Sequence, residues 1–240
     1  LSKEYQVILW DRPNCGASDI NIADVPTEHH LWTDVMHEFL AALNLGPAHF
    51  AGASNGCAFS LQMALRYPKD VNRLILIEPG SSDAEVLLPI INPRYLEFAA
   101  IAGEQGMQAV IDHSVAAYHR VISTVENRPW DVIRNWIAET IVANPENAQR
   151  LLAMDADYFS DVMQRWGDWY LSGELSTARL SVDELQQLVV PALVLPGIDP
   201  LHPQAAAETL AAQLPNAKLV DYLEHYSAAK IREVQESDAV

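Results

Sequence analysis

Cysteine is scarce in this 240-residue chain: there are two, Cys15 and Cys57, and no CxxC pair. Neither a disulfide framework nor a thiolate zinc site can be assembled from them, and free thiols in a reducing, cytoplasmic setting are expected. Basic residues are also few. Fifteen Lys+Arg stand against 32 Asp+Glu, a formal net charge of −17, and such a field repels phosphate backbones and anionic lipid surfaces, which excludes nucleic acid as a partner. Long apolar runs are absent. The longest, residues 188–195, contains Pro191 and falls far short of the roughly 20 residues that cross a bilayer, so no membrane span is expected. The first residues lack a basic segment followed by an apolar core, and no secretory signal is read there. No HExxH occurs, and His29, His30, His37, His49, His113 and His119 lack metal-ligand spacing. No metal and no cofactor are therefore expected. No internal repeat, low-complexity tract or Gly/Ser linker divides the chain.

Half of the residues are hydrophobic, enough for one sizeable core. Short runs rich in Val, Ile and Leu fall at residues 7–10, 49–51, 74–77, 192–195 and 218–222. The first four lack polar alternation, the pattern of strands buried on both faces. Between them, Leu31, Val35, Phe39, Leu40 and Leu43 recur at helical spacing, with Thr27 as N-cap and Gly46 as the stop. A second helix is predicted from Cys57 to Arg66, ending at Tyr67-Pro68. Strands alternating with helices point to an α/β fold with a mostly parallel sheet and helices on both faces. Between Pro79 and Leu185 the rhythm changes to helical patterning alone, which reads as an inserted helical lid. The expected division is a sheet core from residues 1–80 and 186–240 and a lid from 81–185. Trp130, Trp136, Trp166 and Trp169 fall in that insertion. They are either lid core or the lining of an apolar substrate pocket.

The sharpest motif is Gly52-Ala53-Ser54-Asn55-Gly56, a GxSxG lying between a predicted strand and a predicted helix. Its three fixed positions arise by chance at roughly 0.08 occurrences in a chain of this length. Small residues on either side let a nucleophilic serine occupy a sharp turn where a Cβ would clash. Ser54 then stands at a helix N-terminus, where free N–H groups and the dipole favour an oxyanion, and the N–H of Asn55 is one expected donor. A serine needs a base, and the base an orienting carboxylate. Asp199, in the loop after the strand at 192–195, and His225, past the following strand, supply them in the order Ser…Asp…His. Glu78 is the alternative acid. His202, three residues after Asp199, is the rival histidine, for which a turn-stabilising role is expected.

The segment from Val7 to Asp19, with Asp11-Arg12-Pro13-Asn14-Cys15-Gly16-Ala17-Ser18-Asp19, resembles the strand and DRxGxGxSD loop of the α/β-hydrolase superfamily. Ala64-Leu65-Arg66-Tyr67-Pro68 with the run to Ile77, and Gly197-Ile198-Asp199-Pro200-Leu201-His202-Pro203, are similar to the family's A-x-RYP and acid-loop passages. The resemblance implies an α/β-hydrolase fold with Ser54 as nucleophile, Asp199 as acid and His225 as base. It covers residues 1–80 and 185–240, and the lid poorly. It also implies upstream strands, one ending in a His-Gly loop that supplies a second oxyanion N–H; in this sequence these N-terminal strands are missing. Two expectations follow. Either the natural sequence continues upstream, with a further strand between those at 6–10 and 49–51, or these two strands pair directly and another loop rebuilds the oxyanion site.

The function expected is that of a serine hydrolase working through an acyl-enzyme on a small hydrophobic ester or lactone. The alternatives are C–C bond hydrolysis of ring-fission diketones and a non-catalytic ligand-binding protein on the same fold.

Overall fold

The structure, a computed structural model, describes residues 3–124, 136–172 and 179–220. The chain divides into two compact units, Leu1–Pro26 with Ile90–Gly167, and Thr27–Pro89 with Asp168–Val240.

The second unit holds a four-stranded parallel sheet. It begins with α1, Glu28–Ala42, capped by the Thr27 hydroxyl, which accepts from the His30 N–H, as read from the sequence. Its end differs from expectation. Asn44, at φ 52°, takes the left-handed position, and the Leu45 N–H donates to the Leu40 carbonyl at 2.9 Å while Asn44 N–H donates to Ala41. This Schellman closure stops the helix two residues before Gly46, because an asparagine tolerates that conformation. β1, Ala48–Ala53, leads into α2, Asn55–Arg66, and β2, Val71–Ile77. After α3, Ala84–Ile91, the chain enters the other unit.

That helical unit contains a π-helical turn at Asn92–Leu96, α4 at Glu97–Gln105, α5 at Met107–Thr124, α6 at Trp136–Ala143, α7 at Glu146–Leu152 and most of α8, Ala156–Leu171. Here α4, α6 and α7 pack on α5. Back in the sheet unit, α9, Val182–Gln187, opens on a capping box between Ser181 and Glu184. β3, Ala192–Leu195, then α10, Gln204–Gln213, and β4, Ala217–Leu219, complete the described sheet in the order β1-β2-β3-β4.

Two expectations about strands are corrected. Residues 6–10 form no strand: Leu9 is 92% exposed and Val7 50%, and β1 is an outer strand with β2 as its one neighbour among the described residues. Direct pairing of 6–10 with 49–51 is therefore not what the sheet does. An apolar run of four becomes a strand only against an edge that accepts its backbone groups. Residues 3–26 belong to the helical unit instead. The Ile20 N–H donates to Asn147 Oδ1 at 2.9 Å, Tyr158 donates to the Ile22 carbonyl at 2.9 Å, and the Trp166 indole donates to the Val25 carbonyl at 3.2 Å. The second correction concerns burial. It alternates along β1 to β3 despite the unbroken apolar runs: Phe50, Leu74 and Ala192 share a buried register row, as do Leu76 and Val194, while Ile75 and Leu193 are exposed.

Glycine matters unequally at the strand-to-helix turn. A Cβ on Gly52 would sit 2.1 Å from the Gly56 carbonyl oxygen, whereas a Cβ on Gly56 would meet nothing within 4 Å. The Gly52→Ala protein is expected to lose about 1–3 kcal/mol or more through backbone overlap. Gly56→Ala, an added Cβ near a helix start, is expected to stay within about 1 kcal/mol of the parent or exceed it. Urea denaturation of the two variants checks this, and equal losses count against it.

Candidate active site

β1 and α2 present Ser54 between them with φ 52° and ψ −118°, a conformation that non-glycine residues hold only where surrounding structure enforces it. Three contacts enforce it. The Ser54 N–H continues the ladder to the Ile77 carbonyl at 2.9 Å, the Cys57 N–H closes on the Ser54 carbonyl at 2.9 Å, and the Ser60 hydroxyl donates to the Gly56 carbonyl at 2.8 Å. Asn55 is the first residue of α2, so its N–H belongs to the group with no intrahelical acceptor, next to the serine hydroxyl.

The Ser54 Oγ lies 2.8 Å from Nε2 of His202. The other ring nitrogen, Nδ1, is 3.0 and 3.1 Å from the two oxygens of Asp199, whose Oδ1 also accepts the His202 backbone N–H at 2.7 Å. With Nδ1–H donating to the carboxylate, Nε2 carries the lone pair and accepts from the serine. His202 is 3% exposed. Burial by itself works to raise the Asp199 pKa, but the hydrogen bond and charge of His202, with the backbone N–H groups of His202 and Leu201, outweigh it, and the carboxyl sits below its ordinary value. Gly197 makes room: a Cβ there would lie 2.4 Å from the His202 carbonyl oxygen and 2.5 Å from its Cβ.

The structure thus brings Ser54 and Asp199 together through His202. The turn contact expected of His202 is present, and in addition its ring reaches the serine. The signal was legible as a histidine three residues after the acid, in a turn opened by a glycine. His225 lies outside the described residues, as does Trp130. Glu78, the alternative acid, stands at the end of β2 with φ 52°, and its N–H donates to the Leu195 carbonyl at 2.8 Å. Trp136 and Trp166 are buried packing residues of the helical unit, their indole N–H groups taken by the carbonyls of Arg94 and Val25. Trp169 is half-buried in the sheet unit against His29, ring centroids 5.1 Å apart. Cys57 is buried, its thiol reaching the Gly52 and Ile77 carbonyls at 3.2 Å; burial pushes its pKa up to about 12. It is an inert group at neutral pH. No cluster of three potential metal ligands occurs among the described residues, and no described helix is long and apolar enough to cross a membrane.

The family model of the alpha/beta hydrolase fold matches residues 1–226. The chain belongs to this family. Over 83 residues it is 34% identical to "Putative carbamate hydrolase RutD" of Agrobacterium fabrum, covering 34% of this chain and 31% of that protein. Over 86 residues it is 31% identical to the 2-hydroxy-6-oxo-6-phenylhexa-2,4-dienoate hydrolase of Comamonas testosteroni, covering 36% of this chain and 30% of that protein. The matched stretch spans about a third of each curated relative. Among solved structures, a mutant of the meta-cleavage product hydrolase CumD superposes with a TM-score of 0.51 at 23% identity, over 91% of this chain and 72% of that one; this likeness is one of fold.

The lowered Asp199 pKa has a signed consequence. A carboxyl whose folded pKa lies below its unfolded value contributes stability that is present above the ordinary carboxylate range and lost as pH falls through the lowered pKa. The stability difference between the parent and Asp199→Asn is expected to be largest near neutrality and to shrink on acidification, as read from urea midpoints over a pH series. A constant difference across the series counts against the coupling.

Proposed function

We propose that this chain is a serine hydrolase that acts through an acyl-enzyme, with Ser54 as nucleophile, His202 as base and Asp199 as orienting acid. The observation that supports it is the unbroken hydrogen-bond chain from the serine hydroxyl through both imidazole nitrogens to a carboxylate. As Oγ bonds to the acyl carbon, its proton passes to His202 Nε2, and Asp199 stabilises the imidazolium. The oxyanion develops beside the N–H of Asn55; one such donor contributes about 2.7–4 kcal/mol of transition-state stabilisation in comparable sites. His202 then returns the proton to the leaving group and, in the second half, takes one from the attacking water.

A small hydrophobic ester or lactone is the substrate class that fits the reaction and the apolar composition. A second reading, hydrolysis of a C–C bond in a ring-fission diketone, is favoured by the names of relatives such as the Comamonas testosteroni enzyme. The two differ in the bond broken and share the residue types.

Ser54→Ala is expected to abolish labelling by a fluorophosphonate probe and to lower p-nitrophenyl ester turnover by about 10⁴-fold or more. His202→Ala is expected to match it. Full labelling of Ser54→Ala refutes the enzyme and leaves the binding-protein alternative. A loss confined to His225→Ala, with His202→Ala unaffected, moves the role of base from His202 to His225.

A further inference from the structure

The Asn55 side chain is held by two residues from distant parts of the sequence. His29, fully buried on α1, has its Nε2 2.9 Å from Asn55 Oδ1. The ring is packed between Trp32, at 4.6 Å between centroids, and Trp169, at 5.1 Å. The Asn55 amide in turn donates to the Tyr170 hydroxyl at 3.0 Å, and that hydroxyl lies 3.2 Å from Asn55 Oδ1 and 3.5 Å from His29 Nδ1. Since Asn55 Oδ1 can only accept, His29 presents Nε2–H to it, and its Nδ1 is left as an acceptor facing the tyrosine.

Tyr170 is anchored from its other side. Arg179, 5% exposed and at φ 59°, donates from one guanidinium nitrogen to the Tyr170 carbonyl at 3.0 Å and from the other to the Ser81 carbonyl at 2.9 Å. Its guanidinium also lies over the Tyr170 ring at 5.8 Å from the centroid. The Ser81 N–H donates to the Leu201 carbonyl at 2.7 Å, and Leu201 immediately precedes His202. A closed path of contacts therefore runs from Asn55, beside the nucleophile, through Tyr170, Arg179 and Ser81 to the loop that carries the base. Two neighbouring points of that path are Ser54 and His202 themselves. Desolvating a guanidinium against two backbone carbonyls, at a residue in the left-handed region, is a costly way to close a loop for packing alone.

We propose that Tyr170, with His29 and Arg179, forms a brace of positioning residues that sets the separation between the Ser54 hydroxyl and His202 by tying the elbow to the acid–base loop. The proposal rests on Ser54 being the nucleophile. None of the three touches the reacting atoms; they act through Asn55 and Leu201. Loosening the brace lengthens the contact across which the proton moves, and such displacements act on the chemical step more than on substrate binding.

The test uses the full chain with p-nitrophenyl butyrate and a fluorophosphonate probe, rates being expressed per folded molecule. Tyr170→Phe keeps the ring and removes the hydroxyl; His29→Phe removes the donor, and His29→Gln places an N–H near the Nε2 position. Tyr170→Phe and His29→Phe are expected to lower kcat and the labelling rate together by about tenfold, with KM within about twofold, and His29→Gln to return most of the rate. A role in packing alone predicts lower thermal midpoints with unchanged labelling rates. Should Tyr170→Phe not fold, the His29→Phe and His29→Gln pair makes the same comparison. Normal kcat and labelling in the brace variants, beside a Ser54→Ala protein that does not label, overturns the brace and leaves the nucleophile standing. Labelling that persists in Ser54→Ala overturns both.

Discussion

Ser54 is held in a backbone conformation that an L-residue avoids, and the hold comes from close approach between backbone groups rather than from its own side chain. Gly52 passes so near the Gly56 carbonyl that no side chain fits between them, while the ladder to Ile77 and the closure from Cys57 fix the turn on both flanks. Strain of this kind costs about 1–3 kcal/mol and persists only where the surroundings over-determine it. The pairing of β1 with β2 and the packing of α2 on both strands supply that determination. The serine hydroxyl, the Asn55 N–H and the start of the α2 dipole all take their places from this one turn.

The electrostatics around that turn are local. The large negative net charge governs encounters at long range, but the state of the site follows from one buried imidazole and one carboxylate. The carboxylate fixes the tautomer, and the tautomer decides whether Nε2 can accept from the serine. Arg179, whose pKa is lowered by burial, finds carbonyls rather than an acid as its partners, and so contributes geometry instead of neutralising Asp199.

Much of this was legible in sequence because its causes are local. A strand, GxSxG and a helix in succession leave few arrangements for Ser54, and an aspartate directly after a buried strand falls at the same sheet edge. The limits of α1 were half legible: the threonine cap announces itself, whereas the stop depended on whether Asn44 or Gly46 took the left-handed turn, which Leu40 and Leu45 settle by hydrogen bonding. Residues 7–10 show the opposite case. Their apolar run has the composition of a strand, but strand formation is decided by a partner edge, a property of the whole sheet. The His202 contact with Ser54 spans 148 positions in sequence, and no local pattern encodes it; only the i,i+3 contact with Asp199 and the missing side chain at Gly197 hint that the ring is free to swing inward. Trp136 and Trp166 were ambiguous for a related reason, since an indole reads the same whether its N–H meets a carbonyl of the core or a ligand.

The acid and the base share a single turn, residues 199–202, joined by the backbone N–H of His202 as well as by its ring. They therefore travel as one rigid piece. A displacement of that loop leaves the imidazole oriented and its tautomer unchanged, and alters just one tertiary separation. Reactivity of the serine becomes a function of how far this small piece stands from α2, so the loop can engage or release its nucleophile without dismantling the pair that activates it.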